Sequence, residues 1–334
     1  MLNLSIQSLS IIGLKHGFAG SKSFFSKKNS FRSIFIGNSF ANFYYSSGFC
    51  GLTQFYRCNF KKFLGSPIYI DKLMFSNLLY NNNPLEVYLS FFVSKCNFTH
   101  NFSPFSGGSI LSVGSGIIGT IIDSFFYNNT ATNGGAIFFA SPNGILNISG
   151  CEFKYNEAKN GGSLFLSVLE SHINNSIIQF TTSQAHIIIT ESNLSVFRSC
   201  NFYKNNGFID GDIDLNPNCL VFFSCCFTQN NVSPFSNRTF FTLDQCCINS
   251  KIYSLTSQNS LANGISSVDC LKCEVYLPTR IPSSTYNKEI EKAFTHWFTI
   301  GSVSITGVIF LGLLVSSCRW FKLQQDINGS TIIE

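Results

Sequence analysis

Short apolar runs recur along the chain, each bounded by Gly, Asn and Ser. IFFA at residues 137–140, LFLSV at 164–168, HIIIT at 186–190 and LVFF at 220–223 are typical. Runs of this length, closed by turn residues, predict β-strands. No stretch before Thr285 carries a helical period. The runs sit inside a longer order. Residues 151–167 read CEFKYNEAKNGGSLFLS: a small residue, an aromatic two positions on, an asparagine three further, a Gly-Gly pair, then an apolar run. Residues 124–140, SFFYNNTATNGGAIFFA, repeat that order. Residues 96–113, CNFTHNFSPFSGGSILSV, repeat it with one residue inserted before the glycines. A strand-built period of about 25 residues predicts a solenoid with one coil of three short strands and three turns, and is too short for helical repeats of about 33 to 47 residues.

The small position can be followed through Cys58, Ser76, Cys96, Ser124, Cys151, Ser176, Cys200, Cys225 and Cys246. Two residues after each stands an apolar side chain: Phe60, Leu78, Phe98, Phe126, Phe153, Ile178, Phe202, Phe227 and Ile248. Three further stands asparagine in most copies, at Asn81, Asn101, Asn129, Asn156, Asn205 and Asn230. Strand side chains alternate, so the small and apolar residues share one face, predicted to point inward. The asparagine is predicted to end the strand in a turn, bonding locally to backbone. The pairs Gly107-Gly108, Gly134-Gly135 and Gly161-Gly162 are predicted to permit a bend that a Cβ would block.

F-x-x-N followed in the same coil by G-G-[Ala/Ser]-[Ile/Leu] resembles the repeat of polymorphic outer membrane proteins. The match is specific over residues 96–167 and degenerate over 176–250, where the glycine pair becomes Asp210-Gly211 or is absent. The resemblance implies a right-handed parallel β-helix in a cell-surface setting, as in single-span surface proteins of parasitic protists. It carries no catalytic residues to transfer.

The C-terminal end differs in kind. Cys270 and Cys273 close the repeats, and a stalk with Pro278 and Pro282 follows. Residues 297–318 are uncharged and long enough to cross about 30 Å of hydrocarbon as a helix. Trp297 and Trp320 stand at the two ends, as interfacial aromatics do, with Arg319 and Lys322 beside the second. Lys288 and Lys292 balance Arg319 and Lys322, so charge alone does not orient the span; the bulky, sequon-bearing repeats are placed outside. The expected organisation is an N-terminal cap or degenerate leader at 1–35, a β-helix domain at 36–274, a juxtamembrane linker at 275–296, a transmembrane helix at 297–318 and a cytoplasmic tail at 319–334.

Composition narrows the chemistry. Only 12% of the 334 residues are charged and 45% are apolar, with 37 phenylalanines that suit a stacked core. The net charge of +5 is mild and its lysines are scattered, which is no nucleic-acid footprint. Thirteen cysteines in a surface protein invite disulfides. However, Cys and Ser alternate from Cys58 to Cys200, which would place successive thiols two coils apart and leave them free; only Cys200, Cys225 and Cys246 fall in consecutive coils. A zinc site from Cys225-Cys226 and Cys246-Cys247 is disfavoured, because vicinal strand residues face opposite ways. Sequons at Asn97, Asn101, Asn128, Asn147, Asn174, Asn193, Asn231 and Asn237 are glycosylation candidates, at a frequency that Asn- and Ser-rich composition also yields by chance. Asp210, Asp212 and Asp214 at alternate positions are a weak Ca²⁺ or catalytic candidate, set against a solvated divergent turn. His100, His172 and His186 read as turn residues.

The functional expectation is a non-enzymatic, single-pass plasma-membrane protein without a cofactor. Its repeat domain is extracellular and serves adhesion or display towards a host-surface protein, matrix or glycan. Its other partner is the lipid bilayer through one helix, and nucleic acid is not a partner. The alternative is a membrane-tethered polysaccharide lyase or hydrolase on the same fold, which needs convergent carboxylates and a base in a groove.

Overall fold

The computed structural model describes residues 4–12, 19–21, 28–37, 43–47, 51–72, 89–211, 220–230, 235, 241–249 and 260–263. Every regular element among them is a β-strand, and the strands pair in parallel. One sheet holds ten strands of three residues, taken strictly in chain order, including Asn59–Lys61, Asn97–Thr99, Phe125–Tyr127, Glu152–Lys154 and Ile177–Gln179. A second sheet of nineteen strands closes the rest of each coil. Each strand therefore lies beside its counterpart one coil on, which makes the chain a β-solenoid. The arrangement reaches N-terminally into the stretch the sequence assigns to a cap: Ser10–Ile12 pairs with Phe35–Gly37, and Leu4–Gln7 with Lys28–Arg32. The proposed membrane span with Trp297, Arg319, Trp320 and Lys322 lies outside the described residues, among which no helix is long and apolar enough to cross a membrane.

The inward face is built as the repeat implies. Phe60, Phe98, Phe126 and Phe153 stack ring on ring, with centroids 5.1, 4.9 and 4.8 Å apart. Offset stacking of this kind adds to the burial each ring already contributes. The small residue beside each ring has a defined task. Ser124 Oγ accepts from the Cys96 backbone N–H one coil back and donates to the Ile122 carbonyl, and Ser176 does the same for Cys151 and Asn174. Cysteine serves the same position: the Cys58 N–H donates to Cys96 Sγ, and Cys151 Sγ donates to the Ser149 carbonyl. The position requires a short side chain that both donates and accepts, which is why Cys and Ser interchange there.

The ladder does not run through Ser76. Asn97–Thr99 pairs directly with Asn59–Lys61, so Cys58 and Cys96 occupy adjacent coils, and Ser76, Leu78 and Asn81 fall outside the described residues. The alternation of Cys with Ser therefore fails between Cys58 and Cys96, yet both thiols are free and buried. Cys151, Cys200, Cys225 and Cys246 are free as well. Burial pushes the Cys151 thiol up to about 12, so it stays protonated. Among the described residues the disulfide-bonded cysteines are instead Cys226 and Cys247, the neighbours whose side chains stand outside the main core, opposite each other in register on Cys226–Thr228 and Cys247–Asn249.

Asparagine departs from its expected role. Asn101, Asn129 and Asn156 are buried and bond to one another across coils. Asn129 Oδ1 accepts from both the backbone N–H and the side-chain amide of Asn101, at 3.1 and 3.0 Å. Asn129 Nδ2 donates to the Phe98 carbonyl and to Asn156 Oδ1, both at 3.0 Å. Asn205 and Asn230 continue the pattern after Thr181 interrupts it. The turn itself is made one residue earlier: His100, Asn128, Tyr155, Phe180, Lys204 and Gln229 all adopt left-handed φ of 50–56°. A second left-handed corner precedes the small residue, at Arg57, Lys95, Asp123, Gly150, Asn175, Ser199, Ser224 and Gln245. Each three-residue strand from Asn59–Lys61 to Cys226–Thr228 is thus held between two sharp corners.

The glycine pairs behave as expected. Gly107, Gly134 and Gly161 have φ of 61–62°. Gly108 and Gly135 lie under the next coil, where an added Cβ would meet a backbone carbonyl.

His186 is not a turn residue. It lies in Thr182–Thr190, 1% exposed, with Phe202 5.9 Å away. Burial pushes its imidazole down to about 4 from an ordinary 6.5. The native state therefore holds His186 neutral while the unfolded chain takes a proton below pH 6.5. Its contribution is fully present above that pH and is lost as pH falls towards 4. One proton is worth about 1.4 kcal/mol per pH unit, so about 3 kcal/mol of stability should disappear between pH 7 and pH 4. Urea unfolding of the wild type and of His186→Leu at several pH values checks this: the variant should lack that component of the slope. Parallel pH profiles would refute it.

Candidate functional site

The inward residues are committed to packing, so candidate chemistry lies on the outer face. The third residue of each short strand lies on the face away from the core, giving the file Lys61, Thr99, Tyr127, Lys154, Gln179, Tyr203 and Thr228, of which Gln179 and Thr228 are buried by their surroundings. Beside it runs the left-handed corner file Lys62, His100, Asn128, Tyr155, Phe180, Lys204 and Gln229. Read together, each coil from His100 to Lys204 contributes one ring, switching from one file to the other. Adjacent coils are about 4.8 Å apart, so the rings of five coils run about 19 Å along the face.

The rings touch in unbroken sequence. His100 and Tyr127 lie 5.3 Å apart edge-on, Tyr127 and Tyr155 5.5 Å edge-on, Tyr155 and Phe180 4.8 Å stacked, and Phe180 and Tyr203 5.7 Å edge-on. Tyr155 is 41% exposed. Phe125 joins the ridge from the side, 5.8 Å from Tyr127. Two lysines ride on it. Lys154 Nζ lies 5.4 Å from the Tyr155 ring and 5.5 Å from Phe180; Lys204 Nζ lies 4.9 Å from Tyr203 and 5.8 Å from Phe180. Partial burial, then Lys61 and Lys62, hold the His100 imidazole below its usual value. Such a surface offers a continuous file of aromatic rings at one-coil intervals, edge-on at three of the four contacts, with two cations against it.

The repeat residues Cys96, Phe98, Asn101, Ser124, Phe126, Asn129, Cys151, Phe153 and Asn156 face the interior and carry the coil. The sequons divide. Asn97, Asn128 and Asn193 are exposed, Asn147 and Asn174 are half-buried, and Asn231 and Asn237 lie outside the described residues. Asn101 is corrected as a glycan acceptor: it is buried in the ladder, and its Nδ2 donates to the Phe60 carbonyl and Asn129 Oδ1. Asp210 lies on another outward file, after Leu111, Phe138, Phe165 and Ile188. Asp212 and Asp214 lie outside the described residues, which contain no group of three metal-binding side chains.

No protein-family model, curated protein or solved structure matches the chain. The ridge therefore rests on its own geometry. Reading the repeat for inward positions alone passes over it. Its signal is the pair after each inward residue, in turn KK, TH, YN, KY, QF and YK, where aromatic and basic residues recur coil after coil.

Proposed function

We propose that this protein is a single-pass surface adhesin whose solenoid binds a linear glycan along the aromatic ridge. On this reading the coil is right-handed, the hand that parallel crossovers adopt, and belongs to the polymorphic outer membrane protein type of repeat. Residues 297–318 anchor it in the plasma membrane with the solenoid outside. The observation that carries the reading is the unbroken chain of outward rings from His100 to Tyr203. Core packing does not account for it, because these side chains lie outside the stacked interior. Sugar rings present flat apolar faces at intervals comparable with the coil spacing, and a file of aromatic rings engages several at once. The lyase alternative rests on Asp210, Asp212 and Asp214, the last two of which lie outside the described residues.

The test is binding of cells displaying the full chain to immobilised linear polysaccharides, comparing wild type with Tyr155→Gln/Phe180→Gln. Glutamine already occupies this corner at Gln229 with φ 53°, so the coil should persist. Truncating aromatic anchors typically costs about 2 kcal/mol or more, on the order of thirtyfold in affinity. Wild-type binding lost to that degree in the variant is the expected result. Equal binding by both would remove the ridge from the interaction. Antibody access to residues 96–167 only after permeabilisation would remove the surface role.

A further inference from the structure

Resting on that reading, we propose that the glycan is acidic, and that Arg32, Arg57 and Lys95 form the site for one of its sulfate or carboxylate groups. The three cations come from three successive coils and converge on one ring. The guanidinium carbons of Arg32 and Arg57 each lie 5.1 Å from the centre of Tyr56, and Lys95 Nζ lies 5.8 Å from it. The fold dictates this convergence. Arg32 stands opposite Tyr56 in the strand register, while Arg57 and Lys95 hold the left-handed corner on adjacent coils, where the Arg57 N–H donates to the Ser94 carbonyl.

Like charges on neighbouring strands repel. Among the described residues none of the three forms an ion pair within 4 Å, although the Asp123 carboxylate, at the same corner one coil on, attracts Lys95; their shared contact is the Tyr56 ring. A ring quadrupole attracts each cation weakly and leaves the guanidinium donors, which form a planar fork, open to solvent. That fork matches the paired oxygens of a sulfate or carboxylate, and two arginines with a lysine supply both the charge and the donors for one such group.

The site is continuous with the ridge. Arg57 precedes Asn59–Lys61 and Lys62 follows it, so the two corners of one coil are five residues apart across a single short strand, at most about 16 Å. Lys61 and Lys62 stand in the coil next to His100, where the rings begin. A chain lying along the rings passes Lys204 and Lys154, reaches Lys61 and Lys62, and meets the Arg57 corner. A neutral polymer would leave these cations unmatched. A polymer with regularly spaced anionic groups answers both the rings and the charges.

The test uses the full-length chain in detergent micelles. The probes are a heparin oligosaccharide, a neutral linear oligosaccharide of equal length, and a DNA duplex of matched charge. The variants are Arg32→Gln/Arg57→Gln and Tyr155→Gln/Phe180→Gln; Gln245 holds the Arg57 corner in its own coil with φ 52°. Heparin should bind more tightly than the neutral sugar, and the arginine variant should weaken heparin about tenfold or more per arginine while leaving neutral-sugar binding unchanged. Equal affinity for acidic and neutral sugars, or heparin binding indifferent to the arginines but lost with the rings, would overturn the anion site and leave the ridge reading intact. DNA binding equal to heparin and lost with the same arginines would overturn the glycan as its partner. Binding of no probe, or binding indifferent to the rings, would overturn the ridge reading as well.

Discussion

Replacing Asn129 by alanine is expected to destabilise the solenoid by about 3–4 kcal/mol, one of the two largest single-residue effects expected here. The Asn101 backbone N–H, the Asn101 side-chain amide, the Phe98 carbonyl and Asn156 Oδ1 each lose a partner to which Asn129 is bonded. All lie in the interior, where an unmatched polar group retains its full desolvation penalty of about 1–3 kcal/mol. Asn128→Ala is the internal comparison. Asn128 is exposed in the left-handed corner, and alanine there should lose only about 1 kcal/mol to backbone strain. Asn129→Asp keeps the shape and the acceptor but removes the donor and buries a carboxylate, so it should be at least as damaging as alanine. Urea midpoints for the three variants decide the matter. If Asn128→Ala and Asn129→Ala unfold alike, the ladder contributes no more than a turn residue.

Gly135→Ala should destabilise by about 3 kcal/mol or more, for a steric reason. A Cβ built there would overlap the Gly162 carbonyl oxygen and press on the Glu157 carbonyl at 2.5 Å. Both are backbone atoms of the next coil, which cannot swing aside as a side chain can, so the strain exceeds ordinary overpacking. Gly116→Ala separates this from conformation. Gly116 has a positive φ, 66°, which Gly135 does not, but its nearest neighbour is the flexible end of Lys72 at 3.4 Å, so about 1 kcal/mol of backbone strain is all it should lose. Thermal unfolding of the two variants should differ accordingly. A small loss at Gly135 would mean that neighbouring coils spread apart without penalty.

The sequence was most informative where one side chain per coil sits on its own copy. The inward Phe file and the glycine pairs were legible because stacking makes identical residues recur at the coil period. The asparagine was located correctly but its role was misjudged, because bonding between coils looks in one dimension like bonding within a turn. The skipped Ser76 rung was invisible for a related reason: Ser76, Leu78 and Asn81 satisfy the residue pattern, and only strand pairing reveals that Cys96 follows Cys58. Cys226 and Cys247 carry no signal in the repeat, because the Cys–Ser position marks only the inward thiols. They are one residue further on, outside the main core, where the register sets them opposite each other. The ridge was hardest to see, since its rings are divided between two files and form no single column in the sequence. The Arg32, Arg57 and Lys95 cluster draws on three coils whose spacing in sequence is unequal.

The parallel pairing has a mechanical consequence. Backbone hydrogen bonds between coils lie along the solenoid axis, so a pull along that axis loads one coil boundary after another in series. Tension would be relieved by peeling coils singly from an end, with the remaining stack intact behind the break. An attachment made at the ridge, by contrast, spreads lateral load over several coils at once. The same molecule would then yield gradually when stretched end to end and resist when dragged sideways.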